Sequence, residues 1–221
     1  MWKGTLSSGG RYWEKGQGST VHFDIQGNIM SLAYGDNFKG QTDLTDKVFN
    51  SLFSEWHVES AENLILPATT LEIRCYQYMF GECASLVTAP RVLPATTLAN
   101  ECYGDMFYHC TSLTTAPELP ATTLAEYCYS SMFEGCTSLV NAPELPATTL
   151  VNGCYGGMFE FCTSLNYIKA MFTTSPSIAY TPNWVNGVAS SGTFVKNAAA
   201  TWDVTGANGI PSGWTVETAN E

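Results

Sequence analysis

Residues 119–144 read LPATTLAEYCYSSMFEGCTSLVNAPE, and close copies of this segment lie on both sides of it. The motif LPATTL begins at Leu66, Leu93, Leu119 and Leu145, at intervals of 27, 26 and 26 residues. Tandem units of this length are typical of repeat proteins, in which each unit packs mainly against its neighbours. We therefore predict four stacked units over residues 66–170.

The flanking sequence extends this array. An imperfect unit precedes it, since residues 44–53 align with 124–133 and place Phe53 on Phe133. We predict one continuous domain, made of a β-rich N-terminal cap (1–38), a degenerate first repeat (39–65), the four repeats (66–170) and a C-terminal cap (171–221). Residues 19–34 are expected to form two short strands around a Gln-Gly-Asn turn, which would close the front. The tryptophan-containing end is expected to form loops and short strands.

Within each unit the hydrophobic pattern favours a helix. With the first Leu of LPATTL as position 1, positions 10, 11, 14, 15 and 18 are always Cys, Tyr, Met, Phe and Cys. Stepping about 100° per residue places these on one face, and the varying positions 8, 9, 12, 13, 16 and 17 on the other. Thr123 and Glu126 fit a helix capping box. We predict a helix with its invariant face buried, followed by a brief strand that ends at a proline.

These elements predict an α/β architecture. Parallel strands joined through a helix nearly always cross over with a right hand. Because stacked strands lie about 4.8 Å apart and packed helices about 8–10 Å, such an array must curve with its strands inside. The expected fold class is a right-handed solenoid of short parallel strands and short helices, with β-rich caps.

The repeat also resembles a known family. Met-Phe-x-x-Cys-Thr-Ser-Leu, followed by an Ala-Pro strand and a Leu-Pro turn, is similar to the BspA-type leucine-rich repeats of Bacteroidetes surface proteins. Here Met106, Met132 and Met158 replace the small residue that the family has before Phe, and the unit is longer. The resemblance implies a leucine-rich-repeat solenoid in an exported adhesion or recognition protein, without catalytic residues.

Eight cysteines occupy equivalent positions in pairs: Cys75 and Cys83, Cys102 and Cys110, Cys128 and Cys136, Cys154 and Cys162. On a helix, residues eight apart lie about 12 Å apart, whereas a disulfide needs Cα atoms within about 7 Å. Equivalent cysteines of neighbouring units are expected at the helix spacing of about 8–10 Å. Free, buried thiols are therefore favoured, with a staggered disulfide such as Cys110–Cys128 and a zinc site as the less favoured alternatives.

Composition and charge exclude several classes of protein. The net charge of −11 opposes binding to nucleic acid. No run of eighteen apolar residues is present to cross a membrane, so no membrane insertion by this segment is expected. Residues 1–5 lack the features of an export signal. Localisation at the cell surface or secretion is therefore expected from the family resemblance, with an export signal that this chain does not contain.

Catalysis and cofactor binding are not expected. His22, His57 and His109 fall in a predicted strand, a poorly matched stretch and the solvent face, and none is paired with a nucleophile. His109 adjoins Cys110, but neighbouring residues on a helix point about 100° apart. The cysteine spacing lacks the short chelate of structural zinc sites. We predict no enzyme activity, no metal and no cofactor.

Large apolar side chains at the varying positions are the candidate binding residues, because aromatic residues are enriched at protein interfaces. They are Ile73, Tyr78, Tyr108, Tyr127 and Phe161, joined by Tyr167 on the inner strand face. The segment 93–165 has no Lys or Arg, and its acidity favours a cationic partner or Ca²⁺, or else serves solubility alone. The leading hypothesis is a non-catalytic recognition or adhesion module that binds an extracellular protein or glycan, possibly of a host. The alternative is a structural spacer or terminal module of a larger envelope protein, without its own ligand.

Overall fold

The computed structural model describes residues 21–219, so residues 1–20 of the predicted N-terminal cap and residues 220–221 lie outside the described part. The helical elements are α1 (Met30–Tyr34) and a 3-10 helix (Gly35–Asn37). The strands are β1 (Phe23–Asp24), β2 (Gly27–Asn28), β3 (Val58–Ser60), β4 (Leu64–Ile65), β5 (Tyr167–Ala170), β6 (Thr193–Lys196) and β7 (Thr215–Thr218).

The predicted α/β leucine-rich-repeat solenoid is wrong. Across residues 21–219 the only α-helix is α1, which precedes the repeats, and no unit contains the helix that its hydrophobic pattern predicts. The strands instead form small parallel sheets: β1 with β3, β2 with β4, and β5 with β6 and β7. Thr123, the predicted helix cap, instead forms a parallel bridge with Thr97.

Ribbons of consecutive turns replace the helices. These turn ribbons are residues 74–82, 101–109, 127–135 and 153–161. Their backbone N–H groups alternate between two acceptors: Gln77 donates to the Arg74 carbonyl three residues earlier, whereas Tyr78 donates to the Gly104 carbonyl of the next unit (2.9 Å). Residues 47–55 donate in the same alternating way to the first ribbon. Each ribbon is thus bonded both within itself and to its neighbour.

Every fourth residue of a turn ribbon has a left-handed backbone. The positive φ angles lie at positions 9, 13 and 17 of the unit, as at Arg74 (58°), Tyr78 (54°) and Glu82 (61°). For a residue other than glycine this conformation costs about 1–2 kcal/mol. Backbone hydrogen bonds between units, each contributing about 0.5–1.5 kcal/mol, offset part of this cost. The ribbon is therefore stable only when neighbouring units are stacked.

The hydrophobic pattern predicted helices because a period of four residues is hard to distinguish from the helical period of 3.6 over so short a segment. The buried positions 10, 14 and 18, and likewise 11 and 15, recur every four residues, whereas an α-helix turns every 3.6. Over two turns the two periods differ by only about 0.8 residue. The buried face was therefore predicted correctly, although its backbone conformation was not.

The units stack in parallel through strand positions as well. Isolated parallel bridges join Ser60 to Thr88, Thr88 to Thr115, and Asn141 to Tyr167. The predicted brief strand after the second cysteine is present as these bridges. Because the turn ribbons are also joined by backbone hydrogen bonds, they do not need the wider helix spacing. The difference between strand spacing and helix spacing, from which the curvature was predicted, is therefore absent.

The core consists of columns of identical side chains that run along the stack. In all four units the residues at positions 10, 11, 14, 15 and 18 are at most 2 % exposed, as the sequence predicted. The tyrosine column comprises Tyr76, Tyr103, Tyr129 and Tyr155, and the phenylalanine column comprises Phe53, Phe80, Phe107, Phe133 and Phe159. Rings of adjacent units are nearly parallel, with centroids 5.4 Å apart for Phe80–Phe107 and 5.9 Å apart for Tyr129–Tyr155.

The front differs in part from the predicted cap: two short strands are present, but β2 contains Gly27 and Asn28 of the predicted turn, β1 and β2 pair with β3 and β4, and α1 follows them. The loops and short strands predicted for the C-terminal end are present, with β6 and β7 as the strands. At the other end the N–H of Phe159 donates to the Trp184 carbonyl (2.8 Å), so residues beyond the repeats form a further layer. In residues 21–219 no helix is long and apolar enough to cross a membrane.

Candidate functional site

The six predicted binding residues do not share one setting. Tyr78 and Tyr108 contact each other, with ring centroids 6.0 Å apart, and the Tyr108 ring also contacts the tilted His109 ring, with centroids 4.3 Å apart. Tyr167 lies on β5, half-buried, where it bridges to Asn141. Ile73, Tyr127 and Phe161 are 46 %, 43 % and 50 % exposed, at positions 8, 9 and 17 of three different units. The structure therefore brings two of the six residues, Tyr78 and Tyr108, into direct contact.

Exposed aromatic rings lie over glycines. A Cβ atom added to Gly153 would meet the Tyr127 ring, and one added to Gly187 would lie 2.9 Å from the Phe161 ring. The His109 ring covers Gly135 in the same way, at 2.7 Å. In each case the ring shields glycine backbone of the following layer. These aromatics thus have a packing role that the sequence analysis did not identify.

A groove opens on the varying face of the turn ribbons. This Gly104 groove has a volume of about 250 Å³ and is lined by Gln77, Glu101, Gly104, Asp105, Tyr127 and Ser130. Three of these residues, at position 12 of consecutive units, are Gln77, Gly104 and Ser130. Gly104 leaves room, because a Cβ atom there would have no neighbour nearer than 3.5 Å.

Hydrogen bonds hold the walls of the Gly104 groove. Arg74 makes a bidentate ion pair with Glu101, with Nε–Oε2 and Nη2–Oε1 distances of 2.9 and 2.7 Å. Asn50 Nδ2 donates to Gln77 Oε1 (3.2 Å), and Gln77 in turn bonds to the Asp105 carboxylate. The groove is therefore lined by side chains whose positions are fixed by neighbouring units.

The electrostatic field at this face is negative. Partial burial raises the pKa of Asp105, and Glu134 and Glu101 add to the shift, against the hydrogen bond from Gln77. Partial burial likewise raises the pKa of the half-buried Tyr108 phenol, with further contributions from Glu134, Glu82 and Asp105. Carboxylates of three units thus act on one phenol, and a cation placed here would be stabilised.

All eight cysteines are buried, as predicted, and their thiols are unpaired. Burial raises the pKa of Cys75 and Cys83 to about 12 and that of Cys154 to about 11. Thiolate is the reactive form of cysteine, so these thiols are poor nucleophiles in the folded chain. The expected 8–10 Å between equivalent cysteines is wrong, because the turn ribbons are joined by backbone hydrogen bonds such as that from Tyr76 N–H to the Cys102 carbonyl (3.0 Å).

The histidines lie at the surface without a nucleophile in the described contacts. His22 Nδ1 is 2.9 Å from Glu59 Oε1, and its ring stacks on His57 with centroids 5.4 Å apart. Among residues 21–219 no group of three or more His, Cys, Asp or Glu side chains is arranged to hold a metal ion. His22 and His57 thus form a polar pair at the surface, next to the paired strands β1 and β3.

Sequence reasoning missed most of the Gly104 groove. It identified Tyr127 but not Gln77, Glu101, Gly104, Asp105 or Ser130, because it searched the varying positions for large apolar side chains. The signal that was available is the small residue at position 12 in units 2 to 4, which is Gly104, Ser130 and Gly156. Small residues between larger ones on one face indicate a depression rather than an anchor.

No protein-family model, curated protein or solved structure matches this chain. The resemblance to BspA-type repeats therefore stays a prediction from the residues quoted above.

Proposed function

We propose that the protein is a non-catalytic recognition module, exposed at the cell surface or secreted, that binds an extracellular protein through the Gly104 groove. One observation carries this proposal: a groove of about 250 Å³, lined by Glu101, Asp105 and polar or small side chains of three units, opens on the varying face of the turn ribbons. The core positions are the same in every unit, whereas the residues around the groove differ from one unit to the next. The surface location rests on the family resemblance.

The backbone supports this role by fixing the groove before a partner arrives. Side chains from three units line it, and their backbones are tied by hydrogen bonds such as Asp105 N–H to the Ser130 carbonyl (2.8 Å). A surface whose groups are already ordered loses little conformational entropy on binding. Such preorganisation lets a small groove contribute useful affinity.

Charge favours a partner with exposed Lys or Arg side chains. Glu101 and Asp105 line the groove, and Glu82 and Glu134 act on the adjacent Tyr108. Residues 93–165 contain no Lys or Arg, but Arg74 of the preceding unit pairs with Glu101. The negative field at the groove therefore comes mainly from Asp105, Glu82 and Glu134. A basic protein segment is therefore favoured over a neutral glycan.

The alternative function, a structural spacer without a ligand, has its own supporting observation. Tyr127 and Phe161 shield Gly153 and Gly187, so part of the exposed aromatic surface is explained by packing alone. Ile73, Tyr127 and Phe161 also lie at different positions of different units rather than in the single patch expected of a hydrophobic interface.

Binding of short peptides to immobilised protein distinguishes the two functions. The panel would contain Arg- and Lys-containing peptides, neutral peptides of equal length and neutral oligosaccharides. We expect the basic peptides to bind and their affinity to fall with added salt. Gly104→Leu adds a side chain at a groove position that has no positive φ and where a Cβ atom would have no neighbour nearer than 3.5 Å, and it should lower the affinity at least tenfold. Thr122→Leu, at an exposed position outside the groove, should not.

The absence of saturable binding by any member of the panel would reject the recognition proposal in favour of the spacer. Equal binding by the wild type and Gly104→Leu would reject the Gly104 groove as the binding site. Preferential binding of the oligosaccharides would keep recognition but replace the basic partner by a glycan.

A further inference from the structure

The stacking register brings equivalent cysteines of neighbouring units side by side. They form two columns, one of position-10 cysteines (Cys75, Cys102, Cys128, Cys154) and one of position-18 cysteines (Cys83, Cys110, Cys136, Cys162). The N–H groups of Tyr76, Tyr103 and Tyr129 donate to the carbonyls of Cys102, Cys128 and Cys154, at 3.0, 3.0 and 3.1 Å. Backbones joined in this way lie about 4.8 Å apart, which is inside the Cα separation of about 4.4–6.8 Å found in disulfides.

Contacts in the position-18 column show the same adjacency. Cys110 Sγ donates to the Phe80 carbonyl oxygen (3.1 Å), and that oxygen also accepts the backbone N–H of Cys83 (3.0 Å). Cys136 repeats this arrangement on Phe107, whose carbonyl accepts the Cys110 N–H. Each sulfur therefore lies against the backbone of the preceding cysteine in its own column.

For Cys102 and Cys136, the other sulfurs that raise the pKa of the thiol lie in the same column. Burial first, and then the sulfurs of Cys128 and Cys75, raise the pKa of Cys102. Burial and the sulfurs of Cys110 and Cys162 do the same for Cys136. In both cases the cysteines that act on the thiol belong to adjacent units at the same position.

We infer that the two columns are disulfide sites that link adjacent units under oxidising conditions, with pairs such as Cys83–Cys110 and Cys136–Cys162, or Cys75–Cys102 and Cys128–Cys154. Each column has four members, so neighbouring cysteines can pair without leaving one over. In each pairing two thiols lose two protons and two electrons to a small-molecule disulfide such as oxidised glutathione. That oxidant is released as two thiols through a mixed-disulfide intermediate.

The reduced stack must open for this reaction. All eight thiols are buried, so a small-molecule disulfide reaches them only while the units assemble or separate. Side chains in register point the same way, and the Cβ atoms of a pair are therefore close to the layer spacing of about 4.8 Å. A relaxed disulfide has Cβ atoms about 3.5–4.5 Å apart, so pairing draws the units slightly together and leaves a readily reduced bond.

Peptide mapping tests the pairing directly. The reduced chain is refolded in a buffer of reduced and oxidised glutathione, alkylated at low pH and cleaved after Glu and before Asp. Glu72, Glu82, Glu101, Asp105, Glu118, Glu126, Glu134, Glu144 and Glu160 then separate all eight cysteines into different peptides. Mass spectrometry should find links only between adjacent units at the same position.

A pair of variants sharpens the test. Cys110→Ala should leave Cys83 unlinked while Cys136–Cys162 and the position-10 links remain, and Cys102→Ala should leave Cys75 unlinked in the same way. If a variant does not fold, the wild-type map still decides. Links within a unit, such as Cys75–Cys83, links between columns, or eight free thiols in refolded protein would each overturn the inference.

Discussion

The four turn ribbons and the C-terminal segment 171–219 hold the same kind of parallel stack by different means. In the ribbons, one ring stacks on an identical ring of the next unit, as in Phe107–Phe133 at 5.5 Å and 6°. In the C-terminal segment, indole N–H groups bond to backbone carbonyls of distant residues, as in Trp184 to Gly209 (2.8 Å) and Trp214 to Ala189 (2.7 Å). In the ribbons, identical side chains at equivalent positions keep the units in register. In the C-terminal segment, large side chains with hydrogen bonds to the backbone do so.

The largest expected effect is in the phenylalanine column. Phe133 is fully buried and stacks on both Phe107 and Phe159. Phe133→Ala should lower the free energy of unfolding by about 3–5 kcal/mol, because it removes a buried ring and leaves a cavity. Denaturant unfolding measures this loss, and Tyr108→Ala, which truncates a surface ring, is the control. Equal losses in the two variants would contradict the assignment of Phe133 to the core.

In the C-terminal segment, we expect the hydrogen bond of the buried Trp184 to contribute more to the free energy of unfolding than ring stacking does. Trp184→Phe keeps an aromatic ring but leaves the Gly209 carbonyl without its indole donor. We expect a loss of about 1–3 kcal/mol in the free energy of unfolding, the cost of an unsatisfied buried polar group. A loss within about 0.5 kcal/mol of zero would show that this region is held by packing, as the ribbons are.

A smaller effect is expected where an aromatic ring covers a glycine in the ribbons. Gly135 has φ 73°, and a Cβ atom there would lie 2.7 Å from the His109 ring. Gly135→Ala should cost about 1–2 kcal/mol, since it adds left-handed strain to a steric conflict. Adding His109→Ala should recover part of the loss, which thermal unfolding of both variants would measure. Without any recovery, the strain would lie in the backbone alone.

Two buried hydroxyls distinguish the tyrosine column from the C-terminal tryptophans. The Tyr76 and Tyr103 hydroxyls are buried without a hydrogen-bond partner, whereas the indoles of Trp184 and Trp214 are bonded. Tyr103→Phe should therefore leave the free energy of unfolding unchanged or raise it by up to about 1 kcal/mol. Chemical denaturation tests this, and a clear loss of stability would mean that the hydroxyl has a favourable interaction.

The smallest effect concerns pH at the Gly104 groove. The pKa of Asp105 is raised in the folded chain, mainly by burial, so its carboxylate destabilises the fold at neutral pH. This penalty is present above the raised pKa and disappears as pH falls below the ordinary value of 3.8. At pH 7, Asp105→Asn should raise the free energy of unfolding by less than about 0.5 kcal/mol, which a slightly higher melting temperature would show. The gain should vanish in acid, and an equal gain at both pH values would exclude titration of Asp105 as its cause.

The sequence was sufficient for the parts of the fold that depend on side-chain burial. It predicted the stacked units, the buried Cys128 and Phe133, and the brief parallel strand that the Thr88–Thr115 bridge shows. It was insufficient for the backbone, because a hydrophobic pattern records which side chains are buried but not where the N–H groups donate. The N–H of Tyr78 bonds to Gly104 in another unit, and nothing in the pattern distinguishes this from a helical bond.

The candidate site and the C-terminal layer were harder to predict for a related reason. The Gly104 groove exists because three units bring position 12 together, so its shape depends on the register between units. Residues 179–188 continue the stack without the LPATTL motif, and their role is visible only in contacts such as Phe159 N–H to the Trp184 carbonyl. Recognising either feature needs the three-dimensional arrangement of several units.

The fold depends on alternate N–H groups of the turn ribbons, which bond to the next unit. Scalar couplings across hydrogen bonds, measured by nuclear magnetic resonance, identify the acceptor of each N–H directly. We expect a coupling between the Tyr103 nitrogen and the Cys128 carbonyl carbon, in line with their N–O distance of 3.0 Å. A coupling to Ala99, four residues earlier, would instead show an α-helix and would contradict bonding between the units.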